Sequence, residues 1–202
     1  MNTLHLVRHG HTLWHDTGGV AGRTDIALSD AGRQAVDALR DSLPMLASAT
    51  GDSAAWWCSP LQRTVETATR LCDPAPLTRD ARLVELDFGD WEGSTWEAVH
   101  RDHGELLAAW GEDWVSGAPP NGESFADQLE RCAHWLGDAR HGSTDTVVAV
   151  AHGGTIKAML SLLLGHQPRQ AMRFRIDPAH VCRLDRKGRG WHLRSSNLPR
   201  FA

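Results

Sequence analysis

The sequence has no tyrosine at all, and only four cysteines, four methionines and four phenylalanines among its 202 residues. Cys58, Cys72, Cys132 and Cys182 lie far apart, without a CxxC spacing. That argues against a zinc knuckle and, with no secretory signal, against a disulfide framework; four reduced, mostly buried thiols are expected. Long apolar runs are missing too. Leu4, Leu6 and Val7 are interrupted by His5 and stopped by Arg8, so no signal-peptide core forms, and the stretch 158–164 is too short to span a bilayer. Excess charge of one sign is also lacking. A formal charge of −4 exerts no global pull on nucleic acid or an anionic membrane, so any anion site has to be local. With no repeat, low-complexity tract or linker, the chain reads as a single cytoplasmic domain over residues 1–202.

Histidine and tryptophan are what the sequence has in plenty, twelve and nine residues respectively. The Trp residues, among them Trp56, Trp57, Trp91, Trp96, Trp110 and Trp114, read as core and insertion packing rather than a base-stacking platform. Three histidines, His9, His11 and His15, crowd with Arg8 in "LVRHGHTLWH", where a short apolar strand over 4–7 runs out.

Ser29 opens a helix through Val36, Leu39 and Leu43 before Pro44. "AAWWCSP" reads as a buried strand, and Ser59, Pro60 and Gln62 as the capping box of a helix whose apolar face is Leu61, Val65, Ala68 and Leu71/Cys72. Residues 94–120 suggest short helices, within an insertion over about 92–122 that covers the site. Ser124 and Asp127 cap an amphipathic helix through Phe125, Leu129, Cys132/Ala133 and Leu136. "TVVAVA" is the clearest buried strand, followed by "HGG" and a helix from about Thr155 to Leu164 with Gly165 as its cap. Short strands after Arg173 finish the sheet. Strands alternating with helices predict a three-layer α/β/α fold around a mostly parallel sheet.

Ligands of such sheets sit beyond the carboxyl ends of the strands. The two clearest strands each end there in His-Gly, so as neighbours they bring His9 and His152 together, with Arg63 in the first turn of a helix at the same edge. Arg8 and Arg63 beside two imidazoles make a local site for a phosphate dianion. The helix N-terminus at Arg63 and the glycines after each histidine add to that site. Imidazole can also attack phosphorus, which divides one displacement into two. The leaving oxygen then needs a carboxyl proton, for which Glu85, Asp87, Asp90 and Glu92 are candidates.

"LVRHGHT", "SPLQRTVET", "LVELDFGDWEG" and "VAHGGTIK", in this order, resemble the histidine phosphatase superfamily, with its phosphoglycerate mutase-like fold. The resemblance implies that His9 is the phosphorylated nucleophile. It further implies that Arg8, Arg63 and His152, beside Gly153, hold the phosphoryl group, and that Glu85 is the proton donor. "GRTDIALSDAGRQA" is similar to the family's loop and puts Gly22, Arg23 and Thr24 near the substrate. His15 stands where many members have a phosphate-contacting Asn, and His11, where Glu or Gln is common, reads as standing behind the contacting groups. The basic substrate loop of the mutases is missing. "ELDFGDWEG" in a short chain is closest to the α-ribazole phosphatase branch, which acts in assembling the lower ligand of cobalamin. A phosphomonoesterase needing no cofactor or metal is implied, acting on a small molecule rather than on nucleic acid or membrane.

Two other classes compete with this reading. His9, His11 and His15 have an HxH spacing that could hold zinc, but Arg8 would repel a cation. A non-catalytic phospholigand sensor would be expected to have lost the nucleophile, an Arg or the acid, and all are present.

Overall fold

The computed structural model describes residues 1–42, 54–72, 76–141 and 144–200. In chain order the elements are β1 (Thr3–Arg8), α1 (Leu13–Thr17), α2 (Asp30–Asp41), β2 (Ala54–Cys58), α3 (Gln62–Cys72), β3 (Leu77–Arg79), α4 (Trp96–Glu112), α5 (Phe125–His141), β4 (Thr146–Ala151), α6 (Gly153–Leu164), β5 (Val181–Lys187) and β6 (Gly190–Leu198). Short 3-10 turns occupy Ala81–Leu83, Gly89–Trp91 and Pro168–Arg173.

All six strands form one sheet in the order β3-β2-β4-β1-β5-β6. β4 is buried at every position because parallel neighbours flank it on both sides, β1 and β2, and helices cover both faces. This is why it reads as an unbroken apolar run rather than an alternating one. Its side chains still alternate between two cores. Val147, Ala149 and Ala151 pack with Phe125, Trp135, Ile156 and Met159 of α5 and α6. Val148 and Val150 pack on the other face with Val36 and Leu39 of α2 and Ala68 and Leu71 of α3. The three-layer α/β/α arrangement follows, with β5 and β6 added as an antiparallel edge. All four cysteines are free and buried. Among the described residues no helix is long and apolar enough to cross a membrane.

Several local expectations need correction. Gln62 does not close a capping box on Ser59: its side chain donates to the Asp25 carbonyl, while Ser59 Oγ accepts from the Leu61 N–H. Residues 94–120 hold α4, which is two shorter helices meeting at a kink at His103 (φ −137°, ψ 33°), in line with the short helices expected there. α6 starts at Gly153, two residues early, with His152 as N-cap and Gly165 (φ 69°) closing it. Leu43 and Pro44 lie outside the described residues.

Candidate active site

Register decides where the two His-Gly turns meet. Arg8 pairs with Ala151 across the parallel β1/β4 ladder, so the next residues, His9 and His152, leave the sheet side by side. Their rings lie edge to face, 5.1 Å apart, and His15, from α1, stands 5.9 Å from His9.

Partners that can only donate or only accept fix the proton of the His9 and His152 rings. His9 Nδ1 lies 2.7 Å from the Gly10 carbonyl, which must accept, so Nδ1 carries the hydrogen and Nε2 the lone pair. His152 Nδ1 lies 3.2 Å from Arg63 Nε, which must donate, so the His152 hydrogen is on Nε2. His15 faces a donor at each nitrogen, the Arg8 guanidinium at Nε2 (2.9 Å) and the Thr12 N–H at Nδ1 (3.1 Å), with Thr12 Oγ1 2.8 Å from Nδ1. All three rings are neutral near pH 7. Burial, then the charges of Arg8 and Arg63, hold His9 well below the usual imidazole range. Burial and Arg63 do the same to His152, and burial with Arg8 brings His15 to about 4.

The two arginines are used differently. Arg8 donates to the Ile176 carbonyl and to His15, leaving its Nε without a partner. Arg63 is fully buried, and three of its N–H groups are engaged: Nε serves His152, and the two terminal nitrogens donate to the carbonyls of Thr24 (2.8 Å) and Gly22 (2.5 Å). Its Nε–H thereby orients His152, and its charge acts on His9. The N-terminus of α3 is likewise taken, since Asp25 accepts from the Gln62 N–H.

That cavity, about 310 Å³, is lined by Arg8, His9, Trp14, His15, Glu85 and Trp96 among others. Of the four candidate acids, only Glu85 faces it. It is buried, and its oxygens accept from the N–H groups of Leu86, Gly154 and Thr155 and from Gln128 Nε2, at 2.8–3.1 Å. Here the α6 N-terminus faces a carboxyl group, as helix polarity favours. Asp87 bonds Gly89 N–H and pairs with Arg23; Asp90 accepts from Asn121; Glu92 accepts from the N–H groups of Arg23, Thr24 and Phe88 and from the Thr24 hydroxyl.

The loop reading shifts accordingly. Gly22, Arg23 and Thr24 form a clasp on Arg63 and Glu92, and the cavity wall is made by the residues before them, Gly18, Gly19, Val20 and Ala21. Gly10 serves packing rather than anion access: a Cβ there would lie 2.7 Å from the Gly32 carbonyl of α2. Gly153 does sit against the Arg8 guanidinium, 3.6 Å from where its Cβ would be. His11 is exposed with its ring 4.8 Å from His15, and among the described residues no three His, Cys, Asp or Glu side chains gather as a metal-ligand set. Sequence reasoning missed the cavity roles of Trp14 and Phe88 and the grip of Gln128 and Arg131 on the Glu85 segment. The "SFADQLER" helix carried only a periodicity signal, from which those contacts cannot be read.

Comparison with known proteins identifies the family. Residues 4–199 match the model of the histidine phosphatase superfamily (branch 1). The chain is 33% identical over 176 residues to a glucosyl-3-phosphoglycerate phosphatase of Mycolicibacterium vanbaalenii, covering 80% of this chain and 74% of that one. It is 37% identical over 182 residues to a bifunctional protein of Mycobacterium tuberculosis; that match covers 88% of this chain but 48%, about half, of the longer relative. The crystal structure of the α-ribazole phosphatase from Shigella flexneri superposes with a TM-score of 0.88 at 25% identity, covering 99% and 98% of the two chains. The chain belongs to the histidine phosphatase superfamily and is a phosphatase.

Proposed function

We propose that the protein hydrolyses small phosphomonoesters through a phosphohistidine at His9 Nε2. The observation that carries this reading is a pair of buried donors with no protein partner, His152 Nε2–H and Arg8 Nε–H, next to a ring whose own Nε2 keeps its lone pair. A phosphoryl group supplies the acceptors those donors lack. His9 attacks in line; the P–N bond forms as the P–O bond to the leaving group breaks, and the Glu85 carboxyl gives its proton to the departing oxygen. Water then attacks phosphorus, its proton passes to Glu85, and the P–N bond breaks to release phosphate and neutral His9. Arg63 acts through His152, holding its hydrogen on the nitrogen that meets the phosphoryl oxygen.

For the leaving group, α-ribazole 5′-phosphate is the first reading, with a place in cobalamin assembly. The likeness to the Shigella enzyme and the "ELDFGDWEG" pattern support it, as do the aromatic side chains of Trp14, Phe88 and Trp96 on the cavity wall. A second reading is a small carboxylated ester, favoured by Lys157, which lies unpaired on a cavity that Glu85 also lines. A screen of phosphate esters tests both, with α-ribazole 5′-phosphate beside 3-phosphoglycerate. His9→Ala is expected to lose both turnover, by about 10³-fold or more, and acid-labile phosphate incorporation. Turnover that survives in this variant overturns the nucleophile, and tight ester binding by the wild type without any turnover identifies a sensor.

A further inference from the structure

Glu85 and Phe88 line not one cavity but two. The second measures about 130 Å³, and its other walls include Trp110, Trp114, Phe125, Gln128 and Lys157. An apolar cavity of about 150 Å³ takes up a benzene ring, so this one fits roughly one ring or a short aliphatic chain. Its position is defined by Glu85, the group that would protonate a leaving oxygen. An ester whose phosphoryl group lies at His9 and whose bridging oxygen meets Glu85 has this space open to the remainder of its leaving group.

Two polar groups on these walls are only partly satisfied by the protein. Gln128 is fully buried, and its Nε2 donates to Glu85 Oε1 (3.1 Å) and Thr155 Oγ1 (3.2 Å). The amide cannot be turned round, because a Glu85 oxygen faces it and the Thr155 hydroxyl already spends its hydrogen on the Val84 carbonyl at 2.7 Å. Gln128 Oε1 is therefore a buried acceptor without a donor. Lys157 lies on α6 one turn beyond Gly154, whose N–H grips Glu85. Its ammonium touches Met172 Sδ at 3.6 Å and, among the described residues, forms no ion pair. Partial burial pushes Lys157 below its ordinary range, a loss of water that the nearby charge of Glu85 offsets only in part.

We propose that this second cavity is the leaving-group subsite, and that it takes a compact apolar group of about one ring bearing a carboxylate that pairs with the Lys157 ammonium. The aromatic walls cover the apolar frame, and Gln128 Oε1 accepts from a hydroxyl or N–H on the same group. An uncharged nucleoside leaves Lys157 without a partner, so the subsite favours the carboxylated ester over α-ribazole. The inference rests on the phosphatase reading of His9.

Three aryl esters that carry no charge, a negative charge or a positive charge at the para position test it: phenyl phosphate, 4-carboxyphenyl phosphate and 4-(aminomethyl)phenyl phosphate. The wild-type kcat/KM is expected to favour the carboxylated ester over phenyl phosphate by about tenfold, the scale of a partly desolvated ion pair. Lys157→Met should bring that ratio close to one, and Lys157→Arg should keep it. Lys157→Glu should invert it in favour of the aminomethyl ester, a gain that a misfolded variant cannot produce. Equal kcat/KM for the three esters in the wild type, or a preference that Lys157→Met and Lys157→Glu leave in place, overturns the subsite while the phosphatase reading stands. No turnover of any of the three, with no acid-labile phosphate on His9, overturns the phosphatase reading and the subsite with it.

Discussion

At the scale of single residues, the site depends on where three neutral imidazoles keep their hydrogens. His9 presents a lone pair and His152 a hydrogen, each because a neighbour permits only one sense of hydrogen bond, while His15 stands between two donors, Arg8 and the Thr12 N–H. Protonation of His9 would remove the attacking lone pair, so the depressed range of this ring sets the acid limit of the reaction. Burial and two guanidiniums lower that range well below 6.5. A histidine nucleophile of ordinary pKa would lose about three-quarters of its neutral form by pH 6. The expected outcome here is different: kcat for saturating 4-nitrophenyl phosphate stays level as pH falls from 7 through 6.5 to about 5.5. A fall centred near pH 6.5 would show that His9 is not shielded in this way.

At the scale of elements, strand ends and helix starts do the positioning. The N-terminus of α6 offers the Gly154 and Thr155 N–H groups to Glu85, and Gly154 allows the approach: a Cβ there would overlap Glu85 Oε1. Gly154→Ala should therefore push the acid out of place without touching the nucleophile. Its kcat on alkyl phosphates is expected to fall by about 10²-fold, with a much smaller loss on 4-nitrophenyl phosphate, whose leaving group needs little protonation. Glu85→Gln should show the same pattern; equal losses on both substrate types, in either variant, would locate the acid elsewhere. The sequence made the strand ends legible, since "LVRHG" and "VAHGG" announce both an apolar strand and its abrupt stop. It did not make the donors to Glu85 legible. Gln128 belongs to a helix where apolar spacing records burial but not which polar atom turns inward, and the two carbonyls that Arg63 binds come from a loop about forty residues earlier, which no local pattern records.

At the scale of the whole molecule, segments far apart in sequence are tied into one wall around the cavity. Parallel pairing of β1 with β4 was a consequence of two apolar strands seeking cover on both faces, and the α/β/α layering could be read from that pattern alone. The ties between loops could not, because they depend on which carboxylate meets which backbone N–H. Glu92 is the clearest case. It accepts from Arg23 and Thr24 in the loop after the Gly18–Ala21 wall and from Phe88 on the opposite wall, while Arg63 holds the same loop through the Gly22 and Thr24 carbonyls. Glu92→Ala removes the shared acceptor, and water can replace only part of it at this half-buried position. The expected cost is about 1–3 kcal/mol, which for a chain of this size lowers Tm by roughly 2–10 °C. KM should rise by about tenfold while kcat falls less, because the loop shapes the cavity but supplies neither the nucleophile nor the acid. A lowered Tm with unchanged KM would mean that the clasp stabilises the fold without shaping the cavity, and that the Gly18–Ala21 wall keeps its place without it.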